Sequence, residues 1–375
     1  MKIEMVDLKG QYEKIQEEID AAVLKVIRDA CFINGPEVSF FVRNLSDYLG
    51  GVHVITCANG TDALQVAMMA LGLEPGDEVI VPSFTYVATA EVIGLLGLKP
   101  VMIDVDPFHF NITKDNIEQA IGPKTKVIVP VHLFGQCADM ESILALAKEN
   151  GLYVIEDAAQ AIGSVYTFSD GTQKHAGTMG HIGCTSFFPS KNLGCYGDGG
   201  AIYTSDQVLA ERIKMIANHG QVKKYVHKYI GVNSRLDTIQ AAVLNVKLKY
   251  LDQYNASRRA AADIYDNLLS DIDGIQIPIR ATNSTHVFHQ YTITVNKGKR
   301  DALKQYLESA GIPAMIYYPV PLNKQEAFQN IGEVKGPLNE TERLCNSVLS
   351  LPMHTEITKE QQVYITNKII SFLTN

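Results

Sequence analysis

Three short stretches hold residue types able to grip an anion, pair with a cation and supply an amine. The run Cys57-Ala58-Asn59-Gly60-Thr61-Asp62-Ala63-Leu64 leaves an apolar segment through Asn-Gly and passes directly into a helical pattern. At such a turn the free backbone N–H groups and the positive end of the helix dipole face the same point, Gly60 permits close approach, and the Thr61 hydroxyl can donate. Alone, the same run also reads as an ordinary turn with an N-cap. The run Val154-Ile155-Glu156-Asp157-Ala158-Ala159-Gln160 delivers Asp157 at the end of an apolar strand. Open α/β sheets bind ligands there, and a carboxylate so placed suits a cation, although capping the next helix is the plainer role. The run Thr185-Ser186-Phe187-Phe188-Pro189-Ser190-Lys191-Asn192-Leu193-Gly194 sets Lys191 in a loop rich in Gly, Pro and Ser. Lone loop lysines are mostly surface residues. Here the loop lies between two apolar strands, and burial would depress the amine's pKa and make it a competent nucleophile.

These side chains need a frame. Between residues 52 and 209 short β-rich apolar runs alternate with helical patterns, which predicts an α/β sheet with parallel crossovers. Strands are expected at 52–57, 78–82, 101–105, 126–131, 153–156, 183–188 and 200–204, and helices at 63–71, 87–96 and 140–150. Residues 238–269 hold apolar side chains at helical spacing without Gly or Pro, so a single long helix is expected. A smaller α+β region should follow, with strands at 287–295 and 313–318 and a helix at 301–310. A chain of 375 residues with 46% hydrophobic content can bury the cores of two domains.

Composition excludes several functions. The net charge is -8 and the basic residues are dispersed, so no stripe is present to neutralise a nucleic-acid backbone. Glu4 and Asp7 interrupt the apolar start a signal peptide requires, and no run approaches a membrane span, so a cytoplasmic protein is expected. The six cysteines form no C-x-x-C pair and the ten histidines show no ligand spacing, so no metal site is expected.

An anion cradle, a carboxylate at a strand end and then a lysine 34 residues later (191 minus 157) are, in combination, what pyridoxal 5'-phosphate (PLP) chemistry requires. At this point the chain resembles, over nearly its whole length, the DegT/DnrJ/EryC1/StrS family of sugar aminotransferases. The shared motifs are N-G-T-D-A-L, G-D-E-V-I-V-P-S-F-T-Y-V-A-T, E-D-A-A-Q, S-F-F-P-S-K-N-L-G, G-D-G-G-A-I, G-V-N-S-R-L-D, Y-Y-P-V-P-L and L-S-L-P-M-H. The resemblance implies a fold-type-I PLP-dependent transferase: a mostly parallel seven-stranded sheet in a large domain, 1–250, with a small C-terminal α+β domain, 251–375. It implies that Lys191 attaches the cofactor and that Asp157 pairs with the pyridine nitrogen. Gln160 would bond the phenolic oxygen, Tyr86 would stack on the ring, and Gly60, Thr61 and Ser186 would hold the phosphate. Asn233 would reach in from the second subunit of a homodimer. Sugar dehydratases of the same fold carry histidine in place of the lysine, so Lys191 points to transamination.

Within the family the chain is most similar to enzymes that aminate UDP-2-acetamido-2-deoxy-3-oxo-glucuronate for surface polysaccharide synthesis, with L-glutamate as the expected donor. Arg235, Lys324, Tyr317 and Tyr318 are the expected substrate contacts. Arg235 leads because guanidinium binds carboxylate or phosphate in two-point fashion. Lys324 and Tyr317 stand where relatives are expected to carry histidine. A dTDP-linked 3-keto- or 4-keto-6-deoxyhexose aminotransferase is the alternative substrate class. A cofactor-binding sensor is the alternative of a different kind.

Overall fold

The computed structural model describes residues 2–296 and 298–374. The first nine strands are β1 (His53–Cys57), β2 (Glu78–Pro82), β3 (Lys99–Ile103), β4 (Thr125–Ile128), β5 (Tyr153–Asp157), β6 (Val165–Thr167), β7 (Gln173–His175), β8 (Ile182–Ser186) and β9 (Gly200–Thr204). After them come β10 (Gln221–Lys223), β11 (Val226–His227), β12 (Ile275–Gln276), β13 (Tyr291–Val295), β14 (Glu333–Val334) and β15 (Val348–Leu351). The main sheet has the order β1-β9-β8-β5-β4-β2-β3-β14. Only β9 runs against its neighbours β8 and β1; the remaining pairings are parallel.

Side-chain alternation splits this sheet's core in two. Along β2, Ile80 joins one apolar cluster while Val79 and Val81 join the other, as the two-residue period of a strand dictates. Helix Met140–Asn150 covers the first face with Ile143 and Leu146, and helices Gly60–Leu71 and Ala88–Leu95 cover the second with Leu64, Met68, Val92 and Ile93. On β5, Val154 belongs to the first face and Ile155 to the second. Parity therefore turns Asp157 toward helix Ala88–Leu95. The three-stranded sheet β12-β13-β15 carries a separate cluster in which Tyr265, Leu269, Ile293, Leu303, Ile365 and Ile369 pack with Ile3.

Three expectations are corrected. The main sheet has eight strands, because β14 pairs in parallel with Val101 and Met102 at the edge and Lys99 bonds Glu333 there. The single helix expected over 238–269 is two, Thr238–Leu248 and Leu251–Leu269. The first packs against helices near the N-terminus through Val243 and Leu244, and the second enters the C-terminal cluster through Tyr265 and Leu269. Changing cores forces a bend at Lys249 and Tyr250, both of which bond Glu18. The strand expected at 313–318 is reduced to one bridge, Met315 to Ser350, and Tyr317 and Tyr318 instead lean on the first cluster.

Candidate active site

Asp157 ends β5 and is 6% exposed. Its Oδ2 accepts from the Thr89 hydroxyl at 2.8 Å and its Oδ1 from the Ala159 N–H at 3.1 Å. A carboxylate held this way can be aimed but keeps lone pairs free for a cationic N–H. Its neighbour Glu156 points to the other face. It accepts from the Gly177 and Met179 N–H groups at 2.8 and 2.6 Å, and from the His132 ring at 2.8 Å. Because His132 Nδ1 accepts from the Ala138 N–H at 3.1 Å, the proton sits on Nε2 and donates to Glu156. This buried knot fixes the end of β5 beneath Asp157.

Lys191 lies in the turn after β8, where its N–H donates to the Phe188 carbonyl at 2.8 Å. Burial pushes its amine down to about 8, with the Asp157 charge acting in the opposite direction. The side chain is half-buried and forms no ion pair among the described residues. The neutral, nucleophilic form is therefore reached at a lower pH than in a free lysine.

The structure also brings Gly60 and Ser186 together. Asn59 caps helix Gly60–Leu71 by accepting from the Asp62 N–H at 2.8 Å. A Cβ on Gly60 would stand 2.7 Å from the Ser186 Cβ, so the helix N-terminus and the end of β8 meet at a contact only glycine allows. Thr61 follows in the first turn, and the Ser186 hydroxyl, 9% exposed, accepts from the Phe188 N–H at 3.2 Å.

Gln160 is oriented by its neighbours. Its Oε1 accepts from the Phe134 N–H at 2.7 Å, so the NH2 end must face Tyr318, to whose hydroxyl it donates at 3.1 Å. Tyr318 has Phe84 and Tyr86 as ring neighbours at 6.2 and 6.1 Å. Tyr86 is 55% exposed, an open aromatic face beside the buried set. Tyr317 is half-buried, and burial raises its hydroxyl pKa.

The other sequence-predicted residues lie elsewhere. Asn233 is exposed, and Arg235 lines a cavity of about 860 Å³ together with Asn34, Lys214 and Lys228, none of which belongs to the Lys191 set. Between them, the Ser234 hydroxyl accepts from the Ala58 N–H at 3.0 Å, tying the segment to the rear of the cradle. Lys324 is exposed and paired with Glu342 at 2.8 Å. Sequence reasoning missed Thr89, although it stands three residues after Tyr86 on an apolar helix, where a hydroxyl needs a partner. It also missed His289, 6% exposed, whose ring is held neutral by burial and by the nearby Lys191 and Arg258 charges. Among the described residues no cluster of His, Cys, Asp or Glu has the makings of a metal site.

A buried carboxylate for a ring nitrogen, an amine poised near neutrality and a glycine cradle for a phosphate fit PLP, and the fold and site together define a fold-type-I PLP-dependent aminotransferase. A family model for the DegT/DnrJ/EryC1/StrS aminotransferase family matches residues 13–370. A UDP-2-acetamido-2-deoxy-3-oxo-D-glucuronate aminotransferase from Pseudomonas aeruginosa is 47% identical over 94% of this chain and 95% of its own. A pleiotropic regulatory protein from Geobacillus stearothermophilus is 46% identical over 99% of both. Among solved structures, a DegT DnrJ EryC1 StrS aminotransferase from Brucella abortus has a TM-score of 0.94 at 42% identity, covering 100% of both chains. The structure of ntda from Bacillus subtilis with bound cofactor PMP has a TM-score of 0.88 at 33% identity, covering 96% of this chain and 82% of that one. The chain belongs to the DegT/DnrJ/EryC1/StrS aminotransferase family, and its cofactor is PLP.

Proposed function

We propose that the chain transfers the amino group of L-glutamate to the ketone of a UDP-linked sugar, UDP-2-acetamido-2-deoxy-3-oxo-glucuronate, for surface polysaccharide or lipopolysaccharide synthesis. The observation that carries this reading is the intact Asp157–Lys191 set in a chain 47% identical, nearly end to end, to an enzyme named for that substrate. The protein would act in the cytoplasm as a homodimer, with Asn233 and Arg235 serving the partner's site; among the described residues no helix is long and apolar enough to cross a membrane. The division into a large domain, 1–250, and a small one, 251–375, leaves Ile3 and β14 packed across it.

Each residue then has one task. Asp157, aimed by Thr89, would keep the pyridine nitrogen protonated. The NH2 end of Gln160 would be the donor for the phenolic oxygen, Tyr86 would cover the ring, and Gly60, Thr61 and Ser186 would hold the phosphate. Bound there, the cofactor supplies a sink for the electrons released when the donor's α-carbon loses its proton. Lys191 Nζ would take that proton and pass it to the cofactor in the first half-reaction, and would carry one from the cofactor to the sugar carbon in the second. A uronate adds a carboxylate to the diphosphate, and the Arg235 guanidinium is the group suited to it.

Tyr317 favours a second reading. An aromatic ring in place of a cation suits the methyl group of a dTDP-linked 6-deoxyhexose. Amination of the 3-oxo-glucuronate but not of a dTDP-keto-hexose, with glutamate supplied, supports the first reading; the reverse preference overturns it. If glutamate leaves the absorbance of the bound cofactor unchanged, neither amination reading survives and a sensor role takes their place.

A further inference from the structure

Helix Thr238–Leu248 carries a charge that the chemistry above does not use. Lys247 is 1% exposed and forms no ion pair among the described residues. Its ammonium donates to the Gly194 carbonyl at 2.7 Å and lies 5.2 Å from the centre of the Tyr196 ring. Burial pushes its pKa down to about 8, the mark of a cation held where water does not reach it. An apolar side chain would fill the same space without that desolvation cost, but it could not bond the loop that Lys247 holds.

What the charge grips is the turn that presents Lys191. A Cβ on Gly194 would stand 2.3 Å from the Pro189 carbonyl oxygen, so Gly194 lies against the backbone two residues before Lys191. The Cys195 N–H donates to the Phe187 carbonyl at 2.8 Å, closing the loop at its base. Seven residues before Lys247, and therefore on the same helix face, Gln240 takes the next loop residue by both ends. Its Oε1 accepts from the Tyr196 N–H at 2.8 Å and its Nε2 donates to the Tyr196 carbonyl at 3.1 Å.

We propose that Lys247, with Gln240, is a positioning residue that clamps the 188–196 loop and so sets where the Lys191 amine stands relative to Asp157. The clamp rests on the reading of Lys191 as the cofactor's attachment point. It acts through Gly194 and Tyr196 and touches neither cofactor nor substrate. Displacing a reacting group by about 1 Å costs on the order of a hundredfold in rate, so a loosened loop should be visible in turnover.

The test uses the holoenzyme of Lys247→Met. The expected result is a folded dimer with a full complement of cofactor and sugar KM within about threefold of wild type, but turnover reduced roughly tenfold or more. The pH midpoint of the bound cofactor's absorbance should also move by about half a unit, because the field at the Lys191 nitrogen has changed. Wild-type turnover with an unmoved midpoint overturns the proposal. So does turnover lost only in proportion to folded holoenzyme, with the midpoint unmoved. If Lys247→Met does not accumulate as folded protein, Gln240→Ala is judged on the same two readouts and the same two outcomes. Borohydride fixation followed by peptide mapping separates the two levels. A cofactor fixed on a residue other than Lys191 removes the site reading itself, whereas fixation on Lys191 with a neutral Lys247→Met removes the clamp alone.

Discussion

Asp157 and Lys191 are built into their own chain, whereas Asn233 and Arg235 are left open by it. Asp157 has Thr89 and Ala159 on its two oxygens, and the Lys191 loop is fastened at Gly194 and Tyr196 by the helix Thr238–Leu248. Arg235, in the loop three residues before that same helix, lines an 860 Å³ cavity and forms no ion pair among the described residues. On the proposed function, the difference is one of purpose. A proton-moving amine needs fixed geometry, which only a folded interior gives. A guanidinium meant for an anion that comes and goes must keep its donors unspent, and a second copy of the chain is suited to close the cavity around it.

Experiments can break this contrast at graded strengths. Lys191→Ala should abolish turnover, by on the order of a thousandfold or more, and prevent borohydride from fixing the cofactor. In cofactor-free protein, amine labelling of Lys191 should have its midpoint near pH 8 rather than 10.5, about a 300-fold gain in neutral amine at neutral pH. The sign follows from the depressed value. Between those two pH values the folded chain binds fewer protons than the unfolded one, so this lysine weakens the cofactor-free fold at neutral pH and does so less as pH rises. Asp157→Asn should cost about a hundredfold in turnover, since an amide cannot hold the pyridine nitrogen protonated. Thr89→Val, which leaves the carboxylate in place but less well aimed, should cost about tenfold in turnover. For the open half, Lys191→Ala and Arg235→Ala proteins, each nearly inactive alone, should recover about a quarter of wild-type activity after subunit exchange. Half of the dimers are then mixed and each has one intact site. No recovery despite proven exchange would place Arg235 in its own subunit's site.

Most of the sheet could be read from the sequence because buried parallel strands leave continuous apolar runs, as at Val79 to Val81 and Val154 to Ile155. The cradle and Asp157 could be read because each stands where a strand ends. The break at Lys249 and Tyr250 could not, since it comes from two cores pulling one helix apart and has no Gly or Pro to mark it. β14 is two residues long and exists through its pairing with Val101 and Met102, below the length at which any pattern registers. Lys247 left a faint signal. It falls three and four residues after Leu244 and Val243, on the apolar stripe, where a lysine is out of place unless something receives its charge.

Ile3 packs in the same cluster as Ile365 and Ile369, and the Lys2 carbonyl accepts from the Gln361 side chain at 3.0 Å. On a ribosome adding roughly 5–20 residues per second, the cluster that receives Ile3 is not complete until the segment around 365 emerges many seconds later. The strands that hold Asp157 and Lys191 are all synthesised by residue 204, well before that. The nascent chain can therefore pair the strands that hold Asp157 and Lys191 before the cluster that receives Ile3 is complete.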